Sequence, residues 1–264
     1  MSVSVVERPD ARVEAPPKTE RLLSLDVFRG LTIAAMILVN NPGSWNSVYG
    51  PLRHAEWHGW TPTDLVFPFF LFIVGVAITY SIGGKAERGD SQRSLVKGVL
   101  RRSATLFGLG LFLNGFPFFP PDKILNLRIP GVLQRIALCF LCASLIYLKN
   151  HWRGIIVWTI ALLAGYWLLM KFIPVPGFGA GDLSAEGNLE GYIDVLLMRT
   201  HIYRPTYDPE GLLSTIPAIA TTLTGVLAGY WLKSPASMAE RVNGMLIRPR
   251  PAGRGQVHGP VVPD

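Results

Sequence analysis

The chain has 264 residues, of which 49% are hydrophobic and only 16% are charged, and its net charge is +7. Its mean hydropathy of +0.32 is high for a soluble protein. The apolar residues form stretches that can cross about 30 Å of hydrocarbon, which takes roughly 20 residues of helix. A large soluble core is therefore excluded. Nucleic-acid binding is excluded as well, because the basic residues flank apolar stretches instead of forming one basic face with interleaved aromatics.

The first twenty residues contain prolines and mixed charges but no apolar run, which predicts a disordered cytoplasmic tail over 1–20 and no cleavable signal peptide. The rest predicts an all-α, polytopic transmembrane helix bundle embedded in the lipid bilayer as a multi-pass protein of the inner membrane. About six spans are expected, at 22–39, 64–82, 98–116, 131–149, 154–173 and 212–232.

The basic residues predict the orientation of the bundle. Seventeen of the 25 lie in the two tails and in the second and fourth loops, whereas six lie in the first, third and fifth loops. The positive-inside bias then predicts that both termini are cytoplasmic and that the first, third and fifth loops face outward.

The outward loops carry unusual polar and aromatic residues. The first loop contains three tryptophans together with His54, Glu56 and His58, and the fifth loop, of about forty residues, contains seven acidic or histidine side chains. An interfacial aromatic belt would explain the tryptophans. It would not explain the titratable groups, and loops of this length are often functional.

Charged and polar residues at the ends of spans have two interpretations each. Asp26 and Arg29 form either a local i, i+3 ion pair or part of a substrate path. Asp64, which follows Thr61 and Pro62, either complements the helix dipole at the start of a helix or, like Asp26, belongs to a substrate path. Arg135 either snorkels to the outer interface or belongs to a site.

The histidines and cysteines also have ordinary explanations. His54 and His58 are either solvated loop residues or bases poised to take a proton near neutral pH. Cys139 and Cys142 lie within an apolar span without accompanying ligands, so they are interpreted as packing residues, and no metal site is predicted.

Four segments carry a resemblance to a known family. These are RLLSLDVFRGLTIAAMILVNNPG, HAEWHGWTPTDLVFPFFLFIVG, RIPGVLQRIALCF and YDPEGLLSTIPAIATTLTGVLAG. In this order they resemble the catalytic domain of the heparan-alpha-glucosaminide N-acetyltransferase family and its bacterial relatives encoded among N-acetylglucosamine utilisation genes. The resemblance covers residues 21–234 and implies an acyltransferase domain that takes acetyl groups from acetyl-CoA, with a glucosamine amine as the acceptor in the lysosomal member.

The resemblance also implies site residues. It places the catalytic histidine at His54, the asparagine that closes the first span at Asn40, and the aspartate of the opening motif at Asp26. His54 would either deprotonate the acceptor amine or carry the acetyl group itself, and both routes need a neutral imidazole in a partly dry site. Asn40 could stabilise the oxyanion, and Asp26 could orient His54 or bind the amine.

The phosphates of coenzyme A need cations if the nucleotide enters from the cytoplasm. The nearest candidates are Lys97, Arg101 and Arg102, at the start of the third span. Positive-inside anchoring is the alternative explanation for this cluster.

After residue 234 the chain departs from the family, whose members continue into further transmembrane helices. Residues 235–264 are rich in arginine, proline and glycine, which predicts a disordered, non-family tail and an incomplete bundle. The predicted function is transfer of acetyl from acetyl-CoA to an amino sugar or glycan at the outer face. An amino-sugar transporter and an inactive truncated fragment are the alternatives, and the acceptor and a homodimeric state are left open.

Overall fold

The computed structural model describes residues 23–120, 122–237, 240, 241 and 244. Among these residues the only sheet is an antiparallel pair, β1 (Pro174–Val175) with β2 (Gly179–Ala180). The helices are α1 (Leu23–Asn40), α2 (Val66–Glu87), α3 (Gln92–Gly115), α4 (Asp122–Leu125), α5 (Val132–Lys149), α6 (Trp152–Phe172), α7 (Leu189–Met198) and α8 (Thr215–Leu232). The predicted all-α fold is confirmed. The predicted tail over 1–20, and most of that over 235–264, lie outside the described residues.

Five of the predicted spans correspond to helices that are long and apolar enough to cross a membrane. They are Leu23–Asn40, Pro62–Glu87, Val132–Lys149, Trp152–Phe172 and Thr215–Leu232. The chain is therefore a multi-pass membrane protein. The sixth predicted span, 98–116, lies within α3, which begins earlier, at Gln92, and is less apolar because its first three turns carry four cations. Its 24 residues extend about 36 Å, so α3 is long enough to cross, and the six-span topology remains a prediction.

The centre of the bundle is the contact between α2 and α8. At Gly75 a Cβ atom would collide with the Thr222 carbonyl of α8, and at Gly225 one would collide with the Phe72 carbonyl of α2. The two glycines therefore allow the helix backbones to approach closely, as small residues do at membrane helix interfaces.

The other helices pack around this pair. Helix α5 contacts α2, α3 and α8, while α6 contacts α8 and α1 contacts α2. One buried cluster includes Ile78, Phe140, Tyr147, Leu223 and Val226. Only 11% of the residues in the apolar stretches of α1 and of α6 are buried inside the bundle. Most of both apolar surfaces is therefore left for contact with lipid.

The predicted cytoplasmic ends of α2 and α8 are joined by an ion pair. Lys233 Nζ lies 2.7 Å from Glu87 Oε1, and it also donates to the Thr79 carbonyl at 3.4 Å. Trp231 Nε1 donates to the Arg241 carbonyl at 2.9 Å. The described part of the C-terminal segment therefore folds back against the end of α8.

Candidate active site

The loop between α1 and α2 pairs a histidine with a carboxylate. His54 Nδ1 lies 2.6 Å from Asp64 Oδ1, and the two side chains are 58% and 27% exposed. No described residue forms a hydrogen bond with Nε2. When neutral, His54 would donate its Nδ1 proton to Asp64 and leave the Nε2 lone pair accessible as a proton acceptor or nucleophile.

Asp64 is itself held by the backbone. It lies in a short 3₁₀ helix, Pro62–Leu65, where its Oδ2 accepts hydrogen bonds from Thr61 N at 2.8 Å and Ala55 N at 3.2 Å. Thr61 Oγ1 donates to the Arg53 carbonyl at 2.7 Å. The residues on both sides of His54 are therefore tied to the turn that carries Asp64, which fixes the position of the imidazole.

This arrangement differs from three sequence expectations. The carboxylate beside His54 is Asp64, not Asp26, and the helix-capping interpretation of Asp64 accounts for only one of its carboxylate oxygens. His54 is also more exposed than a partly dry site would require. The pairing was missed because Asp64 lies ten residues beyond His54, across a loop reversal that no helical or strand period predicts.

Asp26 and Asn40 lie at opposite ends of α1. Asp26 Oδ1 pairs with Arg29 Nη1 at 3.2 Å, which is the local ion pair that the spacing allows. Asn40 Nδ2 donates to the Met36 carbonyl at 2.9 Å. Fourteen residues of helix separate Asp26 from Asn40, or about 21 Å, and neither side chain forms a hydrogen bond with His54 among the described residues.

The loop that carries His54 docks on the segment between α6 and α8. Trp57 Nε1 donates to the Leu183 carbonyl at 2.8 Å, and the Trp57 and Tyr207 rings meet edge to face with centroids 4.8 Å apart. Trp57 is therefore an anchor between two predicted outer loops and does more than mark a membrane interface. Tyr207 directly precedes Asp208, so this ring contact connects the loop that carries His54 to the ion pair between Arg128 and Asp208.

Arg128 joins the loop before α5 to the loop before α8. Its Nε and Nη2 donate to the two oxygens of Asp208 at 2.9 and 2.6 Å, and it also pairs with Glu210. Burial alone would raise the pKa of Asp208, but its hydrogen bonds with Arg128 and the Glu210 N–H outweigh burial and hold that pKa below its ordinary value. Asp208 is fully buried, whereas the Arg128 side chain is 24% exposed, so the carboxylate is shielded from solvent and the guanidinium only in part.

A second buried carboxylate, Asp194 of α7, supports the same turn. It accepts hydrogen bonds from Leu212 N at 2.9 Å and Asp208 N at 3.4 Å. Burial, together with the nearby charges of Glu190 and Asp208, raises the pKa of Asp194 to about 6. At Gly211 a Cβ atom would collide with the Asp194 carboxylate, so the turn requires glycine there.

Arg135 does not snorkel to the membrane interface. It is 8% exposed, and its Nη2 donates to the Gly211 carbonyl at 3.0 Å and to Ser214 Oγ. Arg135 therefore fixes the start of α8 against α5. The same turn is thus held from α5, from α7 and from the loop that carries Arg128.

The predicted cofactor cations lie together on α3 but face different surroundings. The Arg102 guanidinium lies 5.0 Å above the Phe140 ring of α5, and Arg102 lines a cleft between α2 and α3, whereas Lys97 and Arg101 do not line it. Cys139 is fully buried among Leu71, Ile136 and Ala218, as expected of a packing residue. Within the described part of the chain, no cluster of three or more His, Cys, Asp or Glu could hold a metal ion.

Comparison with known proteins agrees with the resemblance seen in the four sequence segments. The model of the family described as "Heparan-alpha-glucosaminide N-acetyltransferase, catalytic" matches residues 21–251, beyond the boundary at 234 drawn from the sequence. The heparan-alpha-glucosaminide N-acetyltransferase of Mus musculus is 33% identical over 257 residues, and that of Homo sapiens is 33% identical over 258 residues. Each alignment covers 79% of this chain and 38% of the relative, so the chain spans less than two fifths of these relatives.

Proposed function

The chain belongs to the heparan-alpha-glucosaminide N-acetyltransferase catalytic family, and on that basis we propose that it is a membrane acetyltransferase. The donor is acetyl-CoA, and the acceptor is the amine of an amino sugar or glycan. The observation that carries this proposal is the 2.6 Å contact between His54 Nδ1 and Asp64 Oδ1, because it leaves Nε2 as the reactive nitrogen.

In the direct route, the acceptor amine attacks the carbonyl carbon of the acetyl thioester. A C–N bond forms, His54 Nε2 takes the proton that the amine nitrogen loses, and the C–S bond breaks. The coenzyme A thiolate leaves with the proton returned from Nε2. Asp64 stabilises the imidazolium that exists between these proton transfers, through the hydrogen bond to Nδ1.

In the alternative route, Nε2 attacks the carbonyl carbon of the thioester, the C–S bond breaks, and coenzyme A leaves as the thiolate, which gives an acetyl-imidazolium on His54. The amine then attacks the same carbonyl carbon, a C–N bond forms, the bond to Nε2 breaks, and the proton that the amine loses neutralises the thiolate. The same nitrogen reacts in both routes, because Asp64 occupies Nδ1. The two routes differ in whether an acetyl-histidine forms. A trapped intermediate on His54 after brief exposure to acetyl-CoA without acceptor would favour the second route.

Of the two other residues that the resemblance implies, Asn40 retains its role, whereas Asp26 does not. One N–H of the Asn40 amide bonds to its own helix, which leaves the second N–H to stabilise an oxyanion. Asp26 pairs with Arg29 about 21 Å along α1 from Asn40, at the predicted cytoplasmic end, so it is too far from His54 to bind the amine that reacts there and has no part in the proposed reaction.

The reaction takes place at the outer face of the inner membrane, with acetyl-CoA supplied from the cytoplasm. The support for this direction is the distribution of basic residues, which assigns the loop carrying His54 to the side with few cations.

The test is to incubate membranes containing the chain with acetyl-CoA labelled in the acetyl group and a panel of amino sugars. Labelled N-acetyl sugar is the expected product. An amino-sugar transporter would instead move unmodified sugar across the membrane without labelling it.

A further inference from the structure

A cleft of about 110 Å³ lies between the end of α2, the start of α3 and the middle of α5. It is distant from His54, because Lys85, on its rim, follows Asp64 by 21 residues of mostly helical chain, or about 30 Å. Whole small-molecule pockets occupy roughly 300–1,000 Å³. The cleft is therefore large enough for one end of a ligand rather than for all of it.

Two cations line this cleft without a carboxylate partner among the described residues. Neither Lys85 nor Arg102 forms an ion pair there, since the nearby Glu87 is paired with Lys233 at 2.7 Å. Asp90 also lines the cleft, and its carboxylate forms no ion pair either. The cleft thus has an excess of one positive charge.

Arg102 is exposed, but its guanidinium packs against an aromatic ring. Its guanidinium lies 5.0 Å above the ring of Phe140, a buried residue of α5. Stacking of this kind holds the planar group in place and leaves its edge N–H groups available as donors. The floor of the cleft is apolar and is formed by Ile82, Leu95, Val99 and Phe140.

A cationic rim over an apolar floor suits a ligand with an anionic group attached to an apolar portion. We propose that Lys85 and Arg102 bind a phosphate group, with an aromatic base or an acyl chain beside it on the apolar floor, at the predicted cytoplasmic end of the bundle. The phosphate belongs to coenzyme A or to a phospholipid headgroup. The coenzyme A source rests on the proposed acetyltransferase function, whereas the phospholipid source does not.

This proposal assigns different roles to the three predicted cofactor cations of α3, Lys97, Arg101 and Arg102. The lining residues of that helix are Ser94, Leu95, Gly98, Val99 and Arg102. They share one helical face, and Lys97 and Arg101 lie outside it. The proposal therefore retains Arg102 from the predicted set of cofactor cations, adds Lys85, and leaves Lys97 and Arg101 as charges that set membrane orientation.

Lys97 and Arg101, which are exposed like Lys85 and Arg102 but do not line the cleft, provide a matched control. The full chain, purified in a maltoside detergent that contains no phosphate, is compared with Lys85→Gln/Arg102→Gln and with Lys97→Gln/Arg101→Gln. Both double variants remove two positive charges from the same end of the bundle. Coenzyme A affinity is measured by calorimetry, and retention of phosphatidylglycerol is measured by native mass spectrometry. Helical circular dichroism checks the fold, and Lys85→Arg/Arg102→Lys restores the charge.

The cleft pair should weaken binding of one probe by at least about tenfold, as expected when charge-assisted hydrogen bonds are lost. The control pair should change it by less than about twofold, since Lys97 and Arg101 lie outside the cleft and would act on the phosphate only through screened charge. Loss of coenzyme A binding identifies the cofactor as the source, and loss of phosphatidylglycerol alone identifies the lipid. Equal effects of the two pairs, or no binding of either probe by the unsubstituted chain, would overturn the site. Coenzyme A binding without acetyl transfer would contradict only the proposed function.

Discussion

His54 and Asp64 form a hydrogen-bonded pair, with Nδ1 of the histidine 2.6 Å from Oδ1 of the aspartate. The other Asp64 oxygen accepts the Thr61 N–H at 2.8 Å, so one carboxylate both caps a short helix and orients the imidazole. His54, which lies in a loop, thereby has one defined tautomer when neutral. This pair is the structural basis of the chemistry that we propose.

Replacing Asp64 with asparagine should lower kcat by about tenfold or more, because an amide cannot stabilise the imidazolium as a carboxylate does. The double variant His54→Ala/Asp64→Asn should be no slower than His54→Ala alone, since the aspartate acts through the histidine. Steady-state acetyl transfer measures both effects. Additive losses in the double variant would show that Asp64 acts independently of His54.

The six-span topology depends on α3 crossing the membrane, and single cysteines can test it. Ser47→Cys and Leu125→Cys should react with an impermeant thiol reagent from outside intact cells, whereas Gln92→Cys should react only after permeabilisation. Gln92 is preferable to Ser91, because the Ser91 side chain accepts a hydrogen bond from Ser94 N and caps α3. Labelling at Ser47→Cys without labelling at Leu125→Cys would mean that α3 does not cross.

Arg128→Ala should destabilise the chain by roughly 3–5 kcal/mol, because it leaves the fully buried Asp208 without its cation. Arg204→Ala is the control, since that exposed arginine forms only ring contacts, with Tyr203 and Tyr207, and should cost no more than about 1 kcal/mol. The midpoints of thermal unfolding in detergent compare the two variants. Similar midpoints would show that the Arg128–Asp208 pair does not hold the outer loops.

Asp194 should give stability a dependence on pH. Its pKa in the folded chain is about 6, above the ordinary 3.8, so between these values the folded state binds more protons than the unfolded state. Its contribution to the free energy of unfolding therefore falls as pH rises from about 4 to about 6 and is constant above that. The unfolding midpoint of the chain, relative to that of Asp194→Asn, should decrease over this range. Parallel midpoints for the two proteins would rule out this linkage.

The helices could be predicted because membrane thickness dictates their length and composition. The start of α3 could not be predicted in this way, because its first turns are basic and a search for apolar stretches overlooks them. These turns begin at the Ser91 cap. The sequence also did not decide whether Arg135 is buried, because an arginine at the start of a span can either snorkel to the interface or turn into the bundle.

The residues of the site meet through contacts between separate parts of the sequence, which no helical or strand periodicity predicts. The motif placed His54, but its partner lies across a loop reversal, and Arg128 and Asp208 are 80 residues apart. Pairing over such distances is decided by how the loops pack. The concentration of titratable residues in the predicted outward loops was the one available signal, and it indicated the region without indicating the partners.

The central claim is that His54 Nε2 carries the chemistry, and acetyl transfer by two histidine variants tests it most directly. Membranes with the unsubstituted chain, His54→Ala or His58→Ala are supplied with acetyl-labelled coenzyme A and the amino-sugar panel. His54→Ala should lose roughly a hundredfold to ten-thousandfold of the transfer rate, the usual range for a general base. His58→Ala should retain most of it, because His58 makes only an edge contact with the Trp57 ring. Near-normal turnover in His54→Ala, or no labelled sugar from the unsubstituted chain, would contradict the account.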